Sequence, residues 1–436
     1  MPFSRGAYPK RPGLSIAAHR PPRRKVARNL AKPGAWPTRT TATRLRTRRS
    51  VLVSRKRQNV TRSRPVFNPQ SPLTDDIVTL ENALIVPWGE GRKRGISRPA
   101  GVYDAQGVYQ QLSQCFRNTS AATTTEPKGP VPEAEDELKG TWLFGGLLYQ
   151  HFGHALLEST SRLWARSVMP EVENVAFLMK KQVNRPRRFT DPMAPMIDMF
   201  AGGIGKLAGI KAPTRVERLV LAPQGFGTGD MIAGSPEFRA HIHKVLADRV
   251  KPEGPEKIYI SRTELYSKRG RYFAEDRIEA LLKAEGYHIY HPQTHDLEAQ
   301  AAQYAAAHTI ISSDNSALHM AAFFARPDSR LAIIQRRPAD VLDDYLTQYQ
   351  WFARMQINVM DALNGRYYQF DGAGQSNELY AELDFPTLGR KLVEAGYIND
   401  TTGWTAPGPE VIEAERRLLS EKLGIEIRLA EISHEA

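Results

Sequence analysis

The chain has 436 residues, 41% of them hydrophobic and 25% charged, with a formal net charge of +13. Its single cysteine, Cys115, excludes an intramolecular disulfide and fits a reducing compartment. No apolar run approaches the roughly 18 residues needed to span a bilayer, and the run at 14–18 is too short for a signal-peptide core. The length accommodates two domains plus appendages, at roughly 100–200 residues each.

The positive charge is concentrated in one segment. Residues 1–65 hold 19 Lys or Arg and no Asp or Glu, so the rest carries 41 basic and 47 acidic groups. Few large apolar residues interrupt the Arg, Pro, Ser and Thr of this tail, so its burial cannot offset its ordering entropy, and disorder is expected. Such a tail suits anionic lipid or nucleic acid, or serves as an extension without function. Its acid-free, Arg-rich composition also leaves an organelle address open.

Residues 66–140 mix strand-like pieces at 77–80 and 83–88 with loops rich in Gly, Pro and Thr. A buried strand is expected at 142–148, broken by Gly145 and Gly146, with a helix from about Phe152. On it Leu156, Leu157, Leu163 and Trp164 recur at near-helical spacing and define a core face. Strands at 175–179 and 218–222 flank a helical stretch at 193–207. Gly202, Gly203, Gly205, Lys206 and Gly209 fail the phosphate-loop pattern, because Phe200 and Leu207 stand where Gly and Ser or Thr are required. They read instead as a helix C-terminus.

A helix over 236–250 ends at the sharp punctuation 251–255, Lys-Pro-Glu-Gly-Pro, which marks a domain boundary. Strands at 257–261, 287–290, 309–312 and 330–335 then alternate with helices at 274–285, 296–307 and 317–324. That rhythm predicts a doubly wound parallel sheet, whose ligands bind at the carboxyl ends of the strands. Beyond Pro338 an aromatic-rich segment precedes helices at 386–395 and 409–423. The expected units are therefore a basic tail (1–65), two α/β domains (66–250 and 251–360) and a helical extension (361–436).

Two strand ends of the second domain supply ligand groups. One carries Ser261 and Arg262, with Lys268, Arg269 and Arg271 in the loop behind. The other is the turn Ser313-Asp314-Asn315-Ser316, leading into an apolar helix. A helix beginning there would offer unpaired N–H groups and a positive dipole end to an anion. Arg262 beside it would complete a diphosphate site. The alternative is a capped βα connection, which prefers the same residues. His319, in the first helical turn, could reach the same crevice or simply pack.

His154 and Glu158, four residues apart, suit a base held by a carboxylate. A core or capping histidine is the alternative. Adding His151 gives a metal reading, but His-x2-His-x3-Glu is not a recognised zinc spacing, and no metal is expected.

Four segments in order resemble the family-61 glycosyltransferases: HFGHALLESTSRLWA (151–165), IYISR (258–262), RYFAEDRIEALLKAEGYHIYHPQTHDLEAQ (271–300) and IISSDNSALHMAAFFARP (310–327). Bacterial members include capsular-polysaccharide types. The resemblance implies a GT-B architecture, two Rossmann-like domains facing a cleft. It further implies inverting, metal-independent transfer from a nucleotide-sugar co-substrate, with no other cofactor, to an oligosaccharide or lipid-linked acceptor. Carried onto this chain, the catalytic pair is His154 and Glu158. The donor phosphates fall to Arg262, Ser313, Asp314, Asn315, Ser316 and His319. The chain has Ala274-Glu275 where the family often has Asn-Glu, and Asp314-Asn315-Ser316 where it often has a His-Gly-Ala type of turn. The expected place is the cytoplasm, with peripheral contact to anionic membrane through residues 1–65 and nucleic acid disfavoured. The competing reading is a non-catalytic scaffold whose tail binds nucleic acid or anionic lipid.

Overall fold

The computed structural model describes residues 67–89, 97–181, 185–265, 268–337, 341–373 and 378–430. The expectation of a disordered tail over 1–65 lies outside them. In chain order the strands of the first half are β1 (Val78–Val86), β2 (Arg98–Pro99), β3 (Gly101–Tyr103), β4 (Thr124–Thr125), β5 (Asp136–Leu148), β6 (Asn174–Met179), β7 (Leu207–Ile210) and β8 (Thr214–Leu221). Its helices are α1 (Phe152–His154), α2 (Ala165–Val168), α3 (Arg187–Thr190), α4 (Ala194–Ala201) and α5 (Pro236–Arg249). Six strands make one sheet in the order β3-β1-β8-β5-β6-β7. β8, β5, β6 and β7 run parallel, while β1 pairs antiparallel with both β3 and β8. This half is therefore a mixed sheet, not the fully parallel doubly wound sheet expected.

The two pieces at 77–80 and 83–88 belong to one strand, which passes through a left-handed residue, Asn82, at φ +53°. Gly145 and Gly146 do not break β5; the strand absorbs them as a register shift between Phe144 and Gly146. The helix expected over 193–207 stops at Ala201, because Gly202 takes the left-handed C-cap conformation at φ +72°.

The second half is closer to its sequence pattern. Strands β9 (Lys257–Ile260), β10 (His288–Tyr290), β11 (Thr309–Ser313), β12 (Arg330–Ile334) and β13 (Ile357–Met360) are all parallel, in the order β10-β9-β11-β12-β13. Helices α6 (Glu275–Ala284), α7 (Leu297–Ala306), α8 (Ala317–Ala321) and α9 (Val341–Ala353) connect them. Chain order reverses between β9 and β11, and a crevice opens at such a switch point.

The C-terminal part is not purely helical. Helices α10 (Phe385–Glu394) and α11 (Pro409–Leu423) accompany an antiparallel sheet of β14 (Leu363–Phe370), β15 (Tyr380–Leu383) and β16 (Ile427–Leu429). Polar residues on exposed faces of β14 and β16 hide that sheet from a search for apolar runs.

One buried cluster runs through both large sheets, from Phe144, Phe177 and Leu219 to Ile258, Ile310 and Leu331. Phe226, Phe238, Phe323 and Phe352 join them as a ring cluster, with Phe226 stacked on Phe238 at 4.4 Å and Phe323 tilted against Phe352 at 5.2 Å. A shared apolar core fixes the two sheets against each other, and that holds the carboxyl ends of their strands in register.

Candidate active site

β5, β9, β11 and β12 all end at one cavity of about 290 Å³. Its lining includes His151, Gly153 and His154 after β5, Arg262 after β9, Asp314, Asn315, Ser316 and His319 after β11, and Arg336 and Arg337 after β12. Arg269, Thr228, Asp344 and Tyr345 are also on its walls. A larger cavity of about 590 Å³ lies beside β14 and α11. Its buried carboxylate, Glu382, already accepts from Tyr368 and Asn364, so chemistry and not volume selects the first cavity.

The helix after β5 is irregular. α1 has three residues and passes into a π turn over Ala155–Ser159. Such turns favour functional sites, because they re-aim one side chain. Here His154 Nδ1 lies 2.6 Å from Glu158 Oε1. Glu158 is 5% exposed. It also meets Arg117 Nε at 3.5 Å. A carboxylate only accepts, so Nδ1–H donates, and in the neutral ring the tautomer this selects has its lone pair on Nε2. The ring stacks on Tyr149, centroids 5.3 Å apart. Burial, and then the Glu158 charge, push the Tyr149 phenol up, so it stays neutral. His151 tilts against His154 at 5.3 Å without joining Glu158. Its basicity is lowered by burial first, then by His154, Arg269 and Lys180.

The wall from the second sheet carries the charge. Arg262 is held by its backbone: its N–H donates to Glu275 Oε1 at 3.0 Å, and the Tyr259 hydroxyl donates to the same oxygen at 3.0 Å. Its Nε is buried without a hydrogen-bond partner. Burial first, then the adjacent Arg336, push its pKa down to about 10. Asp314 is 1% exposed and is answered by two arginines. Oδ2 accepts from the Arg336 N–H at 3.1 Å, and Oδ1 from Arg336 Nη2 at 3.1 Å and Arg337 Nε at 2.9 Å. Asp314 therefore orients cations and need not meet an anion.

Several expected residues take other parts. Ser313 is fully buried at the end of β11 and stays out of the cavity. The expected helix over 317–324 is α8, only five residues long. Its first N–H groups are already used: Ala317 donates to Asn315 Oδ1 at 2.9 Å, and Leu318 to the Asn315 carbonyl at 3.1 Å. Those two N–H groups are thus not open to an anion, and the positive charge at this end of the cavity is that of the arginines. Of the basic loop, Arg269 reaches the cavity, whereas Arg271 donates to the Thr263 carbonyl at 2.7 Å and pairs with Glu415. Lys268 lies over the Phe370 ring. Among the described residues no group of three His, Cys, Asp or Glu is arranged to hold a metal ion.

Arg336 and Arg337 were not expected from the sequence. The rule that selected Arg262, a cation just past a buried parallel strand, selects them as well, since they come two and three residues after β12. Asp344, Tyr345 and Gln348 on α9 had no comparable signal.

Residues 152–332 match the family described as Glycosyltransferase 61. The chain carries a family-61 glycosyltransferase domain and is a glycosyltransferase. No curated protein matches it. The matched segment contains the cavity ends of β9 and β11 and begins just after β5. It stops inside β12 at Ala332, short of Arg336 and Arg337. No helix among the described residues is long and apolar enough to cross a membrane.

Proposed function

We propose that this glycosyltransferase moves a sugar from a nucleotide-sugar donor to a saccharide acceptor, with inversion and without a metal ion, in polysaccharide biosynthesis of the capsular type. The two sheets are read as a GT-B pair, residues 66–250 holding the acceptor and 251–360 the nucleotide. Strand ends of both sheets opening on one cavity support that reading.

The observation that carries it is Arg262. A guanidinium whose buried Nε has no acceptor, next to two arginines already committed to Asp314, leaves positive charge facing the cavity. A diphosphate supplies the missing acceptors. His154 comes from the other sheet. Its Nε2 takes the proton of an acceptor hydroxyl while Glu158 stabilises the imidazolium. The acceptor oxygen then bonds to the anomeric carbon, and the bond from that carbon to the phosphate oxygen breaks. The leaving diphosphate is met by Arg262, with Arg336, Arg337 and Arg269 around it, so fixed charge stabilises the transition state.

The test compares transfer or hydrolysis of nucleotide sugars by wild type, His154→Ala and Arg262→Ala. Full activity in both variants would sink the assignment. A thermal-stability screen against UDP-, GDP- and CMP-linked ligands identifies the nucleotide, since a bound ligand raises apparent stability. Residues 1–65 are read as a peripheral contact to anionic membrane in the cytoplasm. Their deletion should abolish binding to anionic vesicles and leave transfer intact; unchanged vesicle binding would remove that part of the reading.

A further inference from the structure

The histidine of α8 is built differently from the His154–Glu158 pair. His319 is 7% exposed and lines the cavity. Its Nδ1 lies 2.6 Å from Gln348 Oε1. The same carboxamide donates through Nε2 to the His319 carbonyl at 3.0 Å. A carbonyl only accepts, so the amide must face it with nitrogen and face the ring with oxygen. Gln348 therefore requires a proton on Nδ1, and Nε2 of the neutral ring is a lone pair. Tyr345 stacks on the ring at 4.5 Å and blocks a flip. The Tyr349 hydroxyl donates to the Leu318 carbonyl at 2.9 Å, tying α8 to α9. No described residue donates to Nε2.

From this we infer that His319 reads the donor sugar: its Nε2 accepts a hydrogen bond from a hydroxyl of the sugar being transferred, and Gln348 is the positioning residue that keeps that acceptor available. The inference rests on the proposed sugar transfer and replaces the phosphate role expected for His319. A neutral imidazole brings no charge to a diphosphate, whereas a sugar hydroxyl is the donor it lacks. The donor side is assigned because His319, on α8, lines the cavity together with the preceding turn of Asn315, Ser316 and the Asp314 that holds Arg336 and Arg337. Burial first holds the His319 pKa down at about 4, the Gln348 contact opposing it and His154 adding to it. Of the other groups facing this end of the cavity, Tyr345 is pushed up and stays neutral, and Asp344 is raised by burial. Asp314 is spoken for by its arginines.

The experiment measures affinity for UDP against UDP-glucose and UDP-xylose, and for GDP against GDP-mannose, in wild type, His319→Ala and Gln348→Glu, with melting curves to verify folding. The sugar's contribution is the ratio of conjugate to bare nucleotide affinity. It should fall roughly three- to tenfold in His319→Ala, the value of one hydrogen bond, with bare nucleotide affinity unchanged. In Gln348→Glu the introduced carboxylate favours the imidazolium, which has no lone pair at Nε2. The ratio should then match wild type at pH 8 and fall toward the His319→Ala value by pH 5, while wild type stays flat. Equal loss of bare nucleotide and conjugate affinity would overturn the inference in favour of a phosphate contact, and an unchanged ratio in both variants would overturn it outright. If no nucleotide binds wild type, the proposed transfer falls and takes this inference with it.

Discussion

Two buried carboxylates serve the cavity from opposite sides, Glu158 from behind His154 and Asp314 on the wall itself, and their partners differ. Glu158 gives Oε1 to His154, while its Oε2 makes no hydrogen bond. Asp314 accepts three hydrogen bonds from two arginines. An undersatisfied carboxylate next to an imidazole can strengthen its hold as the ring charges. A saturated one has nothing further to give and fixes its neighbours. The first arrangement suits a proton that moves, the second a charge that stays.

Removing the saturated carboxylate should have the largest effect. Asp314→Asn removes the carboxylate charge that Arg336, 3% exposed, and Arg337, 13% exposed, share beside Arg262. Breaking a buried pair on one side costs roughly 3–5 kcal/mol, and chemical denaturation should show it. UDP should raise the melting temperature of the variant more than that of wild type, because the diphosphate replaces the lost charge. A loss under about 1 kcal/mol would show the arginines to be solvated, since exposed pairs are worth no more. Glu158→Gln should instead spare the fold and act on rate. It removes the stabilisation of the imidazolium, and a fall in kcat of roughly 10²-fold or more is expected with donor affinity retained. Equal loss of both would make Glu158 structural.

The histidines divide between the same two regions. His241 on α5 faces the Phe200 carbonyl through Nε2 at 2.8 Å and Ser167 Oγ through Nδ1 at 2.7 Å. It and His319 are each pushed down to about 4, chiefly by burial. The unfolded chain protonates them near 6.5, so between about 4 and 6.5 it binds more protons than the folded one, and stability falls as pH falls through that window. Each contributes up to roughly 3 kcal/mol. His241→Gln and His319→Gln should each flatten the stability profile between pH 6.5 and 4. Flattening by only one would show that the other ring is protonated in place.

A smaller effect couples the walls. A Cβ on Gly153 would lie 3.1 Å from Ser316 Cβ, a contact between the π-turn helix and the β11 turn. Gly153→Ala should wedge the two by a few tenths of an ångström. Since small misplacements in a reacting geometry cost up to about a hundredfold, a fall of roughly tenfold in kcat is expected with a near-normal melting temperature. Unchanged kcat would mean that the walls move independently of this contact.

The second wall was the more legible in sequence, and for a physical reason. Parallel strands buried on both faces are short apolar runs, and the residues just past their carboxyl ends sit at the crevice, so Arg262 and the 313–316 turn could be named from β9 and β11 alone. Spacing alone reached His154 and Glu158, although a π turn, invisible to a 3.6-residue period, sets their contact. Legibility ended where partners are distant in sequence. Nothing near Asp314 announces that its charge is met 22 and 23 residues later. Nor does α9 announce Gln348, whose effect on His319 is a matter of one tautomer. In the first half, β1 runs antiparallel to both its neighbours, and its mostly exposed first five residues and buried next three carry no signal of that direction in the alternation of strands with helices.

The smallest expected effect concerns Ala274, the residue at which the chain departs from Asn-Glu. It has φ +58° and ψ 32°, a left-handed conformation, and its N–H donates to Glu415 on α11. Asn tolerates that region better than Ala, whose Cβ crowds the following carbonyl at roughly 1–2 kcal/mol. Glycine removes that strain, but Ala274→Gly also gives up a methyl worth roughly 0.8 kcal/mol and adds unfolded-chain entropy of about 0.4–1 kcal/mol. The terms nearly cancel, so the variant should denature within about 1 kcal/mol of wild type. Ala284, at the other end of α6 and followed by Glu285 at φ −83°, serves as the control. There Ala→Gly has no strain to relieve, and helix propensity alone predicts a loss of about 1 kcal/mol. If Ala274→Gly costs more than Ala284→Gly, the turn before α6 is not strained. Its hold on Glu275, and through it on Arg262, would then come from Glu415 and the Glu275 hydrogen bonds alone.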